Sequence, residues 1–466
     1  MSNFYYLGSN VSLDLLKIIN QQKNVQLLFH EDEINSPDHY GVQGAIKSMV
    51  ENKHAIQIDF QAIKSTERRF NDFKGLSFET ILESVLNDYN SNLLLTKDIR
   101  VDFGGAFKNH CLITDIIYFA LNIYVENKPK KLICLYTPHT VVSWIVARVF
   151  EELGVKVIRL IQSVVPWIFR PIEGLKHIKD CNLRTKRGNF NQEILSKYLL
   201  NLREEYVNAV PWYEKVKPSK NYLKRMIGFL NPKNQLKTLE KHLTKKEFLK
   251  YADKVNEYEN YCVYFLHFQP EGNTFPEAGV FGDQFNAIRK LSESLPSDMK
   301  LVIKEHPSTF SKRCDRRWRP DGFYKRILSI PNICLCALDF PTFKIIDEAE
   351  FVASITGICL IEALARGVKP ITFSATNFHG FDNNLIINAN VLNTKELREA
   401  INSSLETNNK ITNEEIINSF RNIVEYGYDA SKEVINVPIK SREEQLHISR
   451  MNNMYFLKDA IDGQFD

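Results

Sequence analysis

Three short polar groups in the second half of the chain have the residue types to hold an anion and let it depart: His267-Phe268-Gln269-Pro270-Glu271, Lys304-Glu305-His306-Pro307 and Ser354-Ile355-Thr356-Gly357. Each follows an apolar, strand-like run, and in open parallel sheets ligands bind beyond the carboxyl ends of the strands. Ser354 and Thr356 supply hydroxyls, Gly357 lets the backbone approach closely, and the amides that open a helix over 357–366 carry partial positive charge, which together suit a phosphate. A plain helix N-cap uses the same residue types, so both readings stand. Pro307 stops its strand and keeps His306 at the edge, where with Lys304 it suits an anionic leaving group; a structural hydrogen-bonding role is the other reading. Glu362, inside an otherwise apolar helix, can accept hydrogen bonds from a ribose diol or face solvent.

The elements that must present these groups follow from hydrophobic patterning. From Tyr261 onward the strand-like runs YCVYFLHF, KLVIKEHP, NICLCAL, EFVASIT and KPITFS alternate with helical segments, one with Phe285, Ile288 and Leu295 inward and one reading GICLIEALARG. This predicts an α/β domain over 256–390. The first part, 1–174, has the same grammar: a strand Phe4–Leu7, a helix near 12–20 and a strand Val25–His30. KLICLY, the breaker Thr137-Pro138, a helix with Val142, Ile145, Val149 and Leu153 on one face, Gly154 and VKVIRLIQ then repeat it. The expected fold class is α/β, with two Rossmann-like parallel-sheet domains facing a cleft.

Between them, 175–255 is polar and helix-rich. Lys215 to Lys254 holds twelve Lys or Arg against three Asp or Glu. A solvated helical face is the plain reading, and docking to an anionic membrane surface is the sharper one. The tail, 391–466, is helical in pattern around Lys395–Leu405 and Asn413–Tyr426 and is expected to pack back across the domains.

A chain of 466 residues has room for about three domains, or two large ones. Its 44% apolar and 25% charged residues are the balance of a globular protein, not of a disordered or multi-span membrane chain. Sixty basic and 56 acidic side chains leave +4, which does not point to nucleic acid as a partner. The longest apolar stretches, such as Ile116–Val125, fall short of a membrane span. The start carries no basic-then-apolar signal, so the cytoplasm is expected, including the cytoplasmic face of the inner membrane. The eight cysteines read as buried small hydrophobes. Cys334 and Cys336 lack a second ligand pair, and no metal site is expected.

HFQPEGNT, KEHP and SITGICLIEALARGVKPITF resemble the bacterial capsule polysaccharide synthesis family of glycosyltransferases, which includes transferases of 3-deoxy-manno-octulosonic acid (Kdo). The similarity covers 261–380 best and 137–171 more weakly. It implies a GT-B architecture, with a C-terminal donor domain, an N-terminal acceptor domain and a CMP-linked acidic sugar as donor. Gln269-Pro270 would correspond to the Gln-Pro motif and His306-Pro307 to the His-Pro motif, with His306 on the donor phosphate. Ser354, Thr356 and Gly357 would hold phosphate, Glu362 would meet the cytidine ribose, and His267, Glu271, Lys304 and Glu305 would complete the donor site.

Such a reaction needs no cofactor, because CMP leaves as one phosphate monoester and fixed donors can stabilise its charge. No Asp-x-Asp motif is present; Glu31-Asp32-Glu33 reads as a solvated loop. The base that deprotonates the acceptor hydroxyl is sought at strand ends of the first domain, among Glu31, Asp32, Asp102 and His139. Asp102 comes first because Gly104-Gly105 follow it, although capping a turn would also explain it. The expected partners are a CMP-activated sugar (Kdo, pseudaminic, legionaminic or sialic acid) and a capsular or surface glycan. The alternatives are a teichoic-acid-type glycerol- or ribitol-phosphate transferase with a CDP-alditol donor, whose usual Asp-Tyr-Ser-Ser is absent here, and a non-catalytic capsule-export scaffold.

Overall fold

The computed structural model describes residues 3–7, 13–22, 25–29, 39–53, 55–58, 60–66, 77–97, 106–165, 168–176, 178–181, 192–204, 232–252, 258–269, 274–310, 319–374, 376–379, 381–407, 411–428 and 442–465. The chain forms two compact units: residues 1–191 with 420–466, and residues 192–419.

The first unit is built on a seven-stranded sheet of β1 (Asn3–Leu7), β2 (Val25–Phe29), β3 (Ala55–Gln57), β4 (Lys131–Cys134), β5 (Lys156–Gln162), β6 (Phe169–Glu173) and β7 (Lys179–Asp180), in the order β3-β2-β1-β4-β5-β6-β7. Strands β1 to β5 pair in parallel. The β5–β6 and β6–β7 pairs are antiparallel, so this sheet is mixed where an all-parallel one was expected. The connection between β5 and β6 is a tight one closed by the Ser163 amide on the Ile168 carbonyl at 2.8 Å, too short for the crossover of a dozen or more residues that a parallel pair requires.

Helix Val141–Glu152 opens on a capping box: the Ser143 amide donates to Thr140 Oγ1 at 3.3 Å, and the Thr140 amide to Ser143 Oγ at 3.2 Å. It is buried from Val141 through Phe150, and Gly154 follows its end at φ 78°. A 22-residue helix, Ala106–Asn127, contains the apolar run Ile116–Val125.

The second unit holds a six-stranded sheet of β8 (Tyr261–Phe265), β9 (Lys300–Lys304), β10 (Ile333–Leu335), β11 (Phe351–Ser354), β12 (Lys369–Thr372) and β13 (Ile387–Asn388). Its order is β10-β9-β8-β11-β12-β13, and every pair is parallel. The chain steps from β8 outward through β9 to β10 and then returns to the other side of β8, so a topological switch point falls between β8 and β11. Both units are thus Rossmann-like α/β layers. Strand β10 ends at Leu335, which leaves Cys336 beyond the strand.

Of the segment 175–255, helices Gln192–Glu204 and Pro232–Tyr251 belong to the second unit. From the tail, Thr394–Thr407 packs on helix Gln284–Ser294, whereas Arg442–Ile461 lies in the first unit. No described helix is long and apolar enough to cross a membrane.

Candidate functional site

The described residues of the three polar groups lie at or beyond the carboxyl ends of β8, β9 and β11, which are adjacent and parallel. At the switch point the Thr356 amide donates to His267 Nε2 at 3.1 Å and ties the segment after β11 to the one after β8. That bond requires an unprotonated Nε2. Burial first, and then the charges of His306 and Arg319, push the His267 imidazole down to about 3. His267 is therefore neutral with its proton on Nδ1. The Thr356 amide is therefore already taken.

What remains open there is the Thr356 hydroxyl. Its Oγ1 is buried with no hydrogen-bond partner among the described residues. Ser354 is engaged: its Oγ donates to the Phe265 carbonyl at 3.0 Å across the same strand pair. A Cβ on Gly357 would stand 2.8 Å from Cys359 Sγ and 3.2 Å from Ser354 Oγ, so only glycine fits without a shift. The helix that follows is Cys359–Ala365, seven residues and shorter than expected, so the loop Ser354–Gly357 carries more of any anion-binding capacity than a helix dipole does.

Beyond β9, Glu305 is buried and saturated. Its Oε1 accepts from the His306 amide at 2.8 Å, Thr309 Oγ1 at 3.0 Å and Arg319 Nη2 at 3.0 Å; its Oε2 accepts from Arg319 Nε at 2.8 Å and the Tyr324 hydroxyl at 2.7 Å. Burial alone would raise this carboxyl, but the Arg319 charge and these hydrogen bonds hold it below the usual range. Arg319 also donates to the His267 carbonyl at 3.0 Å and to Gln269 Oε1 at 3.3 Å.

Gln269 in turn donates to the Gly282 carbonyl at 2.7 Å and accepts from Gln284 Nε2 at 2.8 Å, while the His267 amide donates to Gln284 Oε1 at 2.7 Å. Lys304 Nζ donates to the carbonyls of Ala337, Leu338 and Phe340 at 2.8–2.9 Å and fixes the loop beyond β10; burial lowers its ammonium. Glu305, Lys304 and Gln269, anticipated as donor ligands, thus have their polar atoms directed into the protein, where they hold the loops in place.

His306 is half-buried at the same edge, with its ring centroid 6.1 Å from that of Phe268. Pro307 begins a 3-10 turn, Pro307–Phe310. Glu362 is 3% exposed, and burial pushes its carboxyl up to about 7 against the lowering effect of Arg366. Pro270 and Glu271 lie outside the described residues, as do Glu31, Asp32 and Asp102. His139 is described: it follows β4, which pairs with β1 at the corresponding switch of the first sheet, and its ring is 5.1 Å from that of Tyr136. Among the described residues no group of three or more His, Cys, Asp or Glu is placed to hold a metal ion.

Arg319, Tyr324 and Gln284 carry much of the site's rigidity, and sequence reasoning missed them. Gln284 opens its helix beside the Asp283 cap, a weak local signal; Arg319 stands in an arginine-rich run with nothing to set it apart.

No protein-family model matches the chain, and no curated protein matches it. Among solved structures, it is similar to Anabaena HepE in complex with UDP, with 9% identity, 99% of each chain covered and a TM-score of 0.28. It is similar to a glycosyltransferase from Rickettsia africae with 9% identity, 98% of this chain and 99% of that one covered, and a TM-score of 0.28. For UDP-GlcNAc 2-epimerase from Neisseria meningitidis bound to UDP-GlcNAc, identity is 11%, coverage is 91% of this chain and 98% of that one, and the TM-score is 0.24.

Proposed function

We propose that the chain is a glycosyltransferase that moves an acidic nonulosonate-type sugar (Kdo, pseudaminic, legionaminic or sialic acid) from its CMP donor to a capsular or surface glycan at the cytoplasmic face of the membrane. The observation that carries this reading is the switch point itself. The Thr356 hydroxyl, without a partner among the described residues, follows β11 on a loop tied to His267 by the Thr356 amide, and a half-buried His306 follows β9 on a loop held by the Glu305–Arg319–Gln269 network; these two strands flank β8. The family resemblance of the same three segments supports CMP as the nucleotide.

In this reading the donor phosphate lies against Thr356, Gly357 and His306, and the ribose meets Glu362. The bond from the anomeric carbon to the phosphate oxygen breaks, and its electron pair stays on CMP. His306 donates to the oxygen on which that charge develops, and fixed donors at such a place are worth several kcal/mol, about 2.7–4 for one oxyanion-hole donor. The acceptor hydroxyl attacks the anomeric carbon and gives its proton to a carboxylate or imidazole, for which His139, Glu31 and Asp102 are the candidates.

Thermal-shift titration with CMP, CDP, UDP and GDP tests the donor, because a ligand that binds only the folded state raises its stability by mass action. A shift with CMP is expected. A shift with UDP and none with CMP overturns the donor assignment, and a preference for CDP favours the alditol-phosphate alternative. Release of CMP from CMP-sialic acid or CMP-Kdo in the presence of an acceptor glycan then tests the transfer.

A further inference from the structure

Helix Pro232–Tyr251 has two unlike faces. Thr244 and Phe248 are buried, and Tyr251 packs against the core of the second unit, with the Phe248 ring 5.2 Å from those of both Phe310 and Tyr324. At 3.6 residues per turn the opposite stripe is Leu239, His242, Leu243, Lys246, Leu249 and Lys250, with Lys245 at its margin. All of these are exposed: Leu239 and Leu249 by 55% and Leu243 by 42%. Among the described side chains of this helix the single carboxylate is Glu247, at the other margin of the stripe, half-buried and with its Oε1 buried, whereas Lys245 is exposed.

Three leucines on a solvated stripe leave apolar surface unused, and the lysines interleaved with them give it one sign of charge. That combination suits a surface that is at once anionic and apolar a few ångströms down. A phosphate-tracking nucleic-acid surface would show Arg or aromatic side chains between the lysines; this stripe has leucines. We infer that this face of helix Pro232–Tyr251 lies on an anionic lipid bilayer, with Leu239, Leu243 and Leu249 entering the headgroup–acyl boundary and Lys245, Lys246 and Lys250 meeting lipid phosphates. The helix lies in the interface plane and does not span it.

Flotation of the full chain with vesicles tests this, using phosphatidylcholine alone and phosphatidylcholine with one third phosphatidylglycerol. Binding to the anionic vesicles is expected to exceed binding to the neutral ones by about tenfold and to fall when salt rises from 50 to 500 mM, as screening of surface charge requires. The double variant Leu239→Ser/Leu243→Ser and the triple variant Lys245→Glu/Lys246→Glu/Lys250→Glu should each lose most of the binding. Their melting temperatures should stay at the parent value, since the side chains are exposed. Equal binding to both vesicle types, binding unmoved by either variant, or no binding overturns the proposal. So does a parent dimer that the leucine variant turns into monomer without any vesicle binding, because the stripe then meets a second copy. None of these readouts depends on which nucleotide the switch-point site takes.

Discussion

Arg319 and Glu305 form a buried two-point ion pair: Arg319 Nε and Nη2 donate to the two carboxylate oxygens at 2.8 and 3.0 Å, and both side chains are 2% or less exposed. Because Arg319 also reaches the His267 carbonyl and Gln269 Oε1, while Glu305 takes the amide of His306, one pair holds the exits of β8 and β9 in register.

Breaking such a pair from one side leaves an uncompensated buried charge. Arg319→Ala is expected to destabilise the protein by about 3–5 kcal/mol. Tyr324→Phe removes one hydrogen bond to the same carboxylate and leaves the ion pair, so it should cost less, about 1.5–3 kcal/mol. Chemical denaturation measures both, and an equal or reversed order would show that the pair does not anchor the two loops.

His267 sets an acid limit. Its imidazole titrates at about 3 in the folded chain and near its ordinary value when unfolded. Between those values the unfolded state binds more protons, so this contribution to stability is present above about pH 6.5 and is lost as pH falls toward 3, by about 2 kcal/mol at pH 5. His267→Gln offers the Thr356 amide an oxygen that does not titrate. The variant should lose less melting temperature between pH 7 and pH 5 than the parent does; identical losses would refute the assignment.

The polar groups at the sheet edge were legible because their signals are local: an apolar run, then Pro307 or Gly357, in each case within a few residues. What Glu305 and Gln269 do was not legible, since their partners Arg319, Tyr324 and Gln284 come from other elements and only the folded chain brings them together. Strand β6 escaped for a different reason. PWIFRPIE contains two prolines, which argue against a strand, yet Pro171 is tolerated because β7 pairs only with Ile172 and Glu173 and leaves Pro171 with a strand neighbour on one side alone. The carboxylate in the apolar helix was visible at Glu362, but its near-complete burial depends on how that helix sits on the sheet.

Glu362 works in the opposite sense to His267. Its folded value is about 7 and its unfolded value that of an ordinary glutamate, so between them the folded state binds more protons. The stability of the neutral acid is present below about pH 4.5 and is lost as pH rises through 7, on the order of 3 kcal/mol by pH 8. Glu362→Gln should therefore raise the melting temperature at pH 8 and change it little at pH 5. If the carboxylate accepts hydrogen bonds from the cytidine ribose, the same variant should weaken CMP about tenfold, and the parent should bind CMP less tightly below pH 7. A CMP affinity independent of both pH and the substitution would remove Glu362 from the site while leaving the stability prediction intact.

The sharpest division between holding the site and doing the chemistry falls inside the Lys304–Pro307 segment. Lys304 and Glu305 are turned into the protein, whereas His306 stands half-buried beside Phe268. His306→Ala should leave the melting temperature within about 2 °C of the parent, as expected for a surface-proximal side chain costing no more than roughly 0.5 kcal/mol. It should also lower turnover with a CMP-sugar by about 10²–10³-fold, the usual loss for one fixed donor to a developing anion. Because the donor acts on charge that grows in the transition state, the loss belongs in kcat and not in KM. His306→Gln, which can still donate a neutral hydrogen bond, should fall between. Initial rates of CMP release over a range of donor concentrations separate the two constants. A variant with parental kcat and raised KM would make His306 a ground-state phosphate ligand and leave the departing charge to Thr356 and the loop amides.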